Sequence, residues 1–383
     1  MSTTFRTGTL VLALVAAVPA CSIAEGNGAV LETLWFTQEG GPGIPDIASV
    51  GTADADAFYA ERGRFPDPRF LTSYDRGDGS VRWSVTRDAV CSPPIVRPGR
   101  VYCAGNDLIA HDSETGAKVW TYTHSASLQL VQGTADDARV YIGVAGAPTG
   151  AGRALAVDAA TGKLVWDRAF EGPGWKGNWM RSMTLTPEGD LLVAFKAEYS
   201  PPSVYTATVV AAVDPATGAE RWRFVDGGPT SSRDVGGLTL WNDLVLYSDV
   251  TGQEAVAFDR RTREVIWRAP FTPGSFSTLR PPYVADGVAY FTDTLGGVFA
   301  VDARTGAPVW SAERPYGFLS HAVCGDVVFG DDQIGQVLDR RTGRYLGELF
   351  DDDRATTPGQ VAVADGVLYV SASTGVYAFD CSL

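Results

Sequence analysis

Asp158-Ala159-Ala160-Thr161-Gly162-Lys163-Leu164-Val165-Trp166 is the stretch whose reading decides the fold. It reads as a strand end, a tight turn and a new strand. Asp and Thr side chains bond nearby backbone N–H groups and close such a turn. Gly162 supplies the left-handed backbone that other residues resist. Trp166 is large enough to fill the space between neighbouring layers. The stretch recurs. Anchored on the opening aspartate, copies stand at Asp75, Asp112, Asp158, Asp214, Asp259, Asp302 and Asp339, at intervals of 37 to 56 residues. Asp259 is followed by Thr262 and then Arg263 in place of glycine, and Asp75 by Asp78-Gly79. A tryptophan stands eight residues after the aspartate at Trp83, Trp120, Trp166, Trp222, Trp267 and Trp310. The seventh copy has Gly347 there, which predicts a looser seam.

An eighth copy is split between the chain ends. Val376 to Asp380 matches the strand before the turn, and Leu31 to Phe36 carries Trp35 in the docking role. Each full repeat holds four short strands, joined by Asp-Gly or similar turns such as Asp286-Gly287 and Asp365-Gly366. Four strands in each copy of a repeat that closes on itself predict an all-β fold. It is an eight-bladed β-propeller of four-stranded antiparallel blades, closed by pairing the N-terminal strand with the C-terminal blade. Closure removes open sheet edges and ties down both termini. The 43 glycines and 22 prolines fit a turn-rich β protein. A net charge of -14 argues against nucleic acid, whose phosphates need a basic footprint.

The pattern Ala-x-Asp-x-x-Thr-Gly-x-x-x-Trp resembles the PQQ-like repeat of quinoprotein propellers, and the resemblance covers the whole mature chain. Quinoprotein dehydrogenases of that kind carry a vicinal Cys-Cys pair and Glu/Asn/Asp calcium ligands. This sequence has no vicinal cysteines and no haem Cys-x-x-Cys-His motif. No PQQ or calcium is therefore expected, and no catalytic residue is assigned. The histidines, His111, His124 and His321, have no ligand spacing. Asp54/Asp56 and Asp351-Asp352-Asp353 could touch calcium, but bunched acids usually form a solvated surface.

The first thirty residues are a separate object. Leu10 to Val18 is an unbroken apolar run behind Arg6, too short to span a bilayer. Residues 1–20 are read as a signal peptide. Val18-Pro19-Ala20-Cys21 resembles a bacterial lipobox, which implies acylation of Cys21, a tether over 21–30 and a single propeller over 31–383. The alternative is plain secretion. Either way the domain is exported, to the periplasm or the cell exterior. Exported proteins tend to pair their cysteines. The meander places Cys91 with Cys103 on one face and Cys324 with Cys381 on the other, which predicts those two disulfides.

The same topology sorts the loops. Turns between first and second, and third and fourth, strands are short and share one face. The opposite face takes the second-to-third and blade-to-blade loops, and there the chain spends its extra residues: 145–153, 171–180 and 196–208. Long loops on a rigid scaffold are the usual place for function. Trp175 and Trp179, outside the docking set, read as a Gly-rich loop able to grip a partner or to cap the gap between blades. Arg181, Arg233, Arg280 and His321, just before inner strands, would form a positive funnel for an anion or an acidic peptide unless local carboxylates or carbonyls hold them. The expected function is a monomeric, non-catalytic envelope scaffold that binds protein partners through this face. It is similar in layout to the propeller lipoproteins of outer-membrane β-barrel assembly. The alternative is a ligand-binding or quinone/calcium-dependent oxidoreductase-type propeller.

Overall fold

A computed structural model describes residues 31–38, 49–62, 69–87, 91, 94–124, 130–144, 152–199, 205–271, 281–292, 297–312, 321–330, 335–350, 358–372 and 374–382. The expected signal peptide, Cys21 and its tether, Arg280 and Asp351-Asp352-Asp353 lie outside the described residues.

Second and third strands such as Thr206–Val213 are buried along nearly their whole length. Strands covered on both faces read as continuous apolar runs, and here neighbouring blades cover both. Blade 1 is Ser49–Ala53, Ala57–Arg62, Arg69–Asp75 and Val81–Arg87; blade 2 is Ile95–Arg97, Arg100–Ala104, Asp107–Asp112 and Lys118–Thr123. Blade 3 is Leu130–Ala135, Arg139–Val144, Arg153–Asp158 and Leu164–Ala169; blade 4 is Trp175–Leu185, Leu191–Tyr199, Thr206–Val213 and Glu220–Gly227, with Glu171–Gly172 as a short fifth strand. Blade 5 is Val235–Trp241, Leu244–Asp249, Glu254–Asp259 and Val265–Pro270; blade 6 is Tyr283–Ala285, Val288–Thr292, Val298–Asp302 and Pro308–Ala312. Blade 7 is His321–Cys324, Val327–Gly330, Gln336–Asp339 and Tyr345–Glu348; blade 8 is Pro358–Ala364, Val367–Ala372 and Gly375–Asp380, completed by Glu32–Gln38 from the other end of the chain. That closing ladder runs from Glu32 opposite Asp380 to Gln38 opposite Gly375. The first strands touch one another in order around a closed ring, with blade 8 against blade 1. The protein is thus an eight-bladed propeller.

The repeated turn explains the seams. Asp158 Oδ1 accepts from the Thr161 N–H (2.8 Å) and its hydroxyl (2.7 Å), and the Gly162 N–H donates to the Asp158 carbonyl (2.9 Å). Gly162 has φ +71°, and a Cβ there would stand 2.7 Å from Trp120 of the preceding blade. Glycine is therefore required both by the backbone and by the indole lying on it. A β-bulge at the start of the fourth strand directs the tryptophan into the seam and its predecessor outward: Val165 is exposed while Trp166 is buried. The indole N–H then donates to the carbonyl just after the next blade's aspartate. These bonds are Trp35 to Arg76, Trp83 to Ser113, Trp120 to Ala159, Trp166 to Pro215, Trp267 to Ala303 and Trp310 to Arg340, all within 2.8–3.1 Å.

Two seams depart. Trp222, partly buried like Trp120 and Trp310, was expected to dock like the others, but it lacks the bond to Arg260. Where the other turns place glycine under the indole, this one has Arg263, held at φ +65°; at the equivalent Gly162 an added Cβ would stand 2.7 Å from Trp120, so by analogy a Cβ here keeps the indole off. At Gly347 there is no tryptophan, and a disulfide stands at that seam instead: Cys324–Cys381, Cα–Cα 5.5 Å. The other expected disulfide, Cys91–Cys103, is also formed, with Cα atoms 5.2 Å apart.

Where the residue after the aspartate is arginine, in blades 1, 5 and 7, it has a further role. Its side chain reaches back to the first-to-second-strand turn of the preceding blade. Arg76 donates to Asp365 (3.0 Å) and to the Tyr369 hydroxyl (2.8 Å), Arg260 to Glu188 (2.5 Å), and Arg340 to Asp286 (2.7 Å). Cys381 occupies the same position in blade 8.

Candidate partner-binding site

The chain between blades 3 and 4 is not the loop expected from its glycines. Pro173-Gly174 forms a two-residue turn, with Gly174 at φ +76°, and Glu171–Gly172 pairs with Trp175-Lys176. A hairpin therefore lengthens the first strand of blade 4 to 11 residues, and the second strand follows it to Tyr199. Within the stretch 196–208, expected as a long loop, residues 196–199 and 206–208 are strand for the same reason: Lys196 pairs with Thr208 and Glu198 with Thr206. Blade 4 extends on its loop-rich side.

The extension separates the two tryptophans. Trp175 is 5% exposed, packs on Phe195, and carries the Arg223 guanidinium over its ring at 5.3 Å. It caps the blade. Trp179 is 47% exposed and lies opposite Lys196 in the ladder, so the two side chains share a face. Lys196 Nζ stands 3.7 Å from Asp234, and Arg181 grips the same carboxylate with two N–H donors at 2.8 and 3.3 Å. An exposed indole thus sits beside a compact cluster of two cations on one carboxylate.

Among the described residues, the arginines expected to line a positive funnel are held by carboxylates. Arg233 Nη1 donates to Asp249 (2.6 Å) and Glu254 (2.5 Å), and Arg268 continues the chain from Glu254 to Asp226, each at 2.8 Å. Tyr247 donates to Asp226 at 2.6 Å. Burial pushes the Asp249 carboxyl up from its usual range, against the pull of the Gly252 N–H and Arg233. His321 is buried in blade 7, its ring nitrogens within 3.1 Å of the Thr292 hydroxyl and 3.2 Å of the Tyr290 carbonyl. It does not face a channel. Arg181 and Arg233 are each neutralised by acids on blades 4 and 5, so their value is in organising that surface.

His111 is likewise structural: it bonds the Gly116 carbonyl at 2.9 Å, and burial lowers its pKa. Asp54 is saturated by the Asp56 and Ala57 N–H groups and the Tyr59 hydroxyl. Among the described residues, no group of three or more His, Cys, Asp or Glu could hold a metal ion.

Comparison with known proteins follows this architecture. Residues 33–187 and 206–382 match the family described as outer membrane protein assembly factor BamB. The BamB of Burkholderia pseudomallei (strain K96243) is 26% identical over 319 residues, 79% of this chain and 67% of that protein. The quinohemoprotein alcohol dehydrogenase of Comamonas testosteroni is 29% identical over 229 residues, 50% of this chain, and the match spans 30% of the dehydrogenase. The crystal structure of BamB from Moraxella catarrhalis superposes with a TM-score of 0.65 at 17% identity, covering 90% of this chain and 97% of that one. A europium-containing methanol dehydrogenase gives 0.67 at 15%, covering 89% and 84%. The structural likenesses show a shared propeller fold. With its PQQ-like repeats and a family match along nearly the whole propeller, the chain belongs to the family of outer membrane protein assembly factor BamB.

Proposed function

We propose that the protein is a non-catalytic scaffold of the cell envelope that holds a protein partner on the loop-rich side of blade 4. Trp179 carries the reading. An exposed aromatic ring beside oriented charges is what a binding hot spot with a polar rim requires. Every other tryptophan on the seams is spent on packing, and Trp175 is buried. Family membership and the BamB relatives support a place in outer-membrane assembly, and the signal-like N-terminus supports export with Cys21 as lipid anchor. Crosslinking in intact membranes, followed by pull-down, tests the reading. Trp179→Ala should lose the captured partner and leave the melting temperature within about 1 °C, as surface substitutions do. Capture by Trp179→Ala at the wild-type level sinks it.

The dehydrogenase relatives favour a second reading, a PQQ- and calcium-binding propeller. Added quinone and calcium should then give a spectral change or thermal stabilisation. The scaffold reading expects neither.

A further inference from the structure

Each described seam has at least one specific fastener, and they differ in chemistry. Docked tryptophans close six. The seam with the undocked Trp222 has the Arg260 clamp on Glu188. The seam between blades 7 and 8 has Gly347 in place of tryptophan, and Cys381 where blades 1, 5 and 7 have the clamping arginine. Cys381 bonds Cys324 at the end of the first strand of blade 7, beside the same turn that an arginine would reach. Gly325 lies so close to the Cys381 backbone that an added Cβ would overlap the carbonyl oxygen. The covalent bond therefore replaces both non-covalent fasteners at one seam. Blade 8 is also the blade assembled from the two ends of the chain.

We propose that Cys324–Cys381 is a redox latch on blade 8. Oxidised, it holds the ring shut. A dithiol reductant, of the class carried by thiol–disulfide oxidoreductases, delivers two electrons and two protons. The S–S bond breaks, two cysteine thiols form, and the reductant becomes a disulfide. Reduction leaves blade 8 tied to blade 1 by Trp35, Thr37 and Arg76, and to blade 7, among the described residues, by apolar contact. The ring then opens at one defined seam while blades 2 to 6 stay packed. Cys91–Cys103 has no such role. It lies beside a seam that Trp83 already closes.

Hydrogen exchange read by mass spectrometry tests this. The Cys324→Ser/Cys381→Ser variant should exchange amides in residues 31–38 and 358–382 at least about tenfold faster than wild type, with blades 2 to 6 unchanged. The Cys91→Ser/Cys103→Ser variant should leave residues 31–38 and 358–382 as in wild type. Equal acceleration everywhere, or none in blade 8, overturns the proposal. If the serine variant fails to fold, wild-type protein is treated with dithiothreitol and thiols are trapped by alkylation. Labelling of Cys324 and Cys381 should accompany exchange confined to blade 8. Labelling only on global unfolding overturns it.

Discussion

Arg263→Gly should stabilise this protein, although it removes a side chain from a repeat that is otherwise intact. Arg263 sits at φ +65° and forms no ion pair of its own among the described residues. A non-glycine residue in the left-handed region costs about 1–2 kcal/mol. Glycine's extra freedom in the unfolded chain takes back about 0.5–1 kcal/mol. The backbone term therefore nets about 1 kcal/mol. Removing the Cβ also clears the surface on which six other tryptophans lie, so Trp222 can drop onto the turn and donate to the Arg260 carbonyl. Such a bond is worth about 1 kcal/mol. The total is about 2 kcal/mol. At about 2.1 cal/mol/K per residue over roughly 350 residues, that raises the melting temperature by about 3 °C. Calorimetry on a double-mutant cycle separates the parts. In a Trp222→Phe background the ring can still pack but not donate, so the gain should fall to about half. An unchanged or lower melting temperature for Arg263→Gly refutes the reasoning, and equal gains in both backgrounds refute the indole part.

Other outcomes follow from the same seams. Trp267→Ala should cost roughly 3–5 kcal/mol, as large core truncations do, and Trp222→Ala distinctly less, because only the first is docked; chemical denaturation of the two variants measures the gap. Stability should fall on the acid side. Hydrogen bonds from Thr115, Thr161, Thr305 and Thr342 hold the carboxyls of Asp112, Asp158, Asp302 and Asp339 below the usual range. A folded-state pKa below the unfolded one gives a contribution that is complete above about pH 4 and lost as pH falls through the folded values. Melting curves between pH 6 and pH 3 should show the decline beginning near pH 4, and a flat profile across that range contradicts the turn assignment.

The blades were legible because their signals are local. An aspartate, a threonine, a glycine and a tryptophan at fixed spacing each answer a separate demand of one turn and one seam. Both disulfides were legible because the strand order alone puts Cys91 with Cys103 and Cys324 with Cys381. Trp222 was not, because its docking depends on Arg263 41 residues later, in the next blade. The hairpin at blade 4 was missed although Pro173-Gly174 marks it; glycines on either side made the stretch read as a loop. The partners of the funnel residues were not legible for a more general reason. Arg181 and Arg233 stand out in sequence as cations, but Asp234 reaches Arg181 only when blades 4 and 5 pack, and Asp249 and Glu254 reach Arg233 only when the strands of blade 5 pair. The clamp position after each aspartate could have been read by aligning the copies, since Arg76, Arg260, Arg340 and Cys381 all fall on it.

The ladder between Glu32–Gln38 and Gly375–Asp380 has a consequence in time. A strand made among the first must wait for one made among the last. Seven blades pair only neighbours in sequence and can form as the chain emerges, each offering the next a face to pack on. The first strand has no such neighbour, and its unpaired edge is a template for wrong partners until Gly375–Asp380 has been made. Its long-range pairing is also the slowest kind to find. Refolding should therefore proceed through a seven-bladed arc, with the burial of Trp35 against Gly79 as its final event.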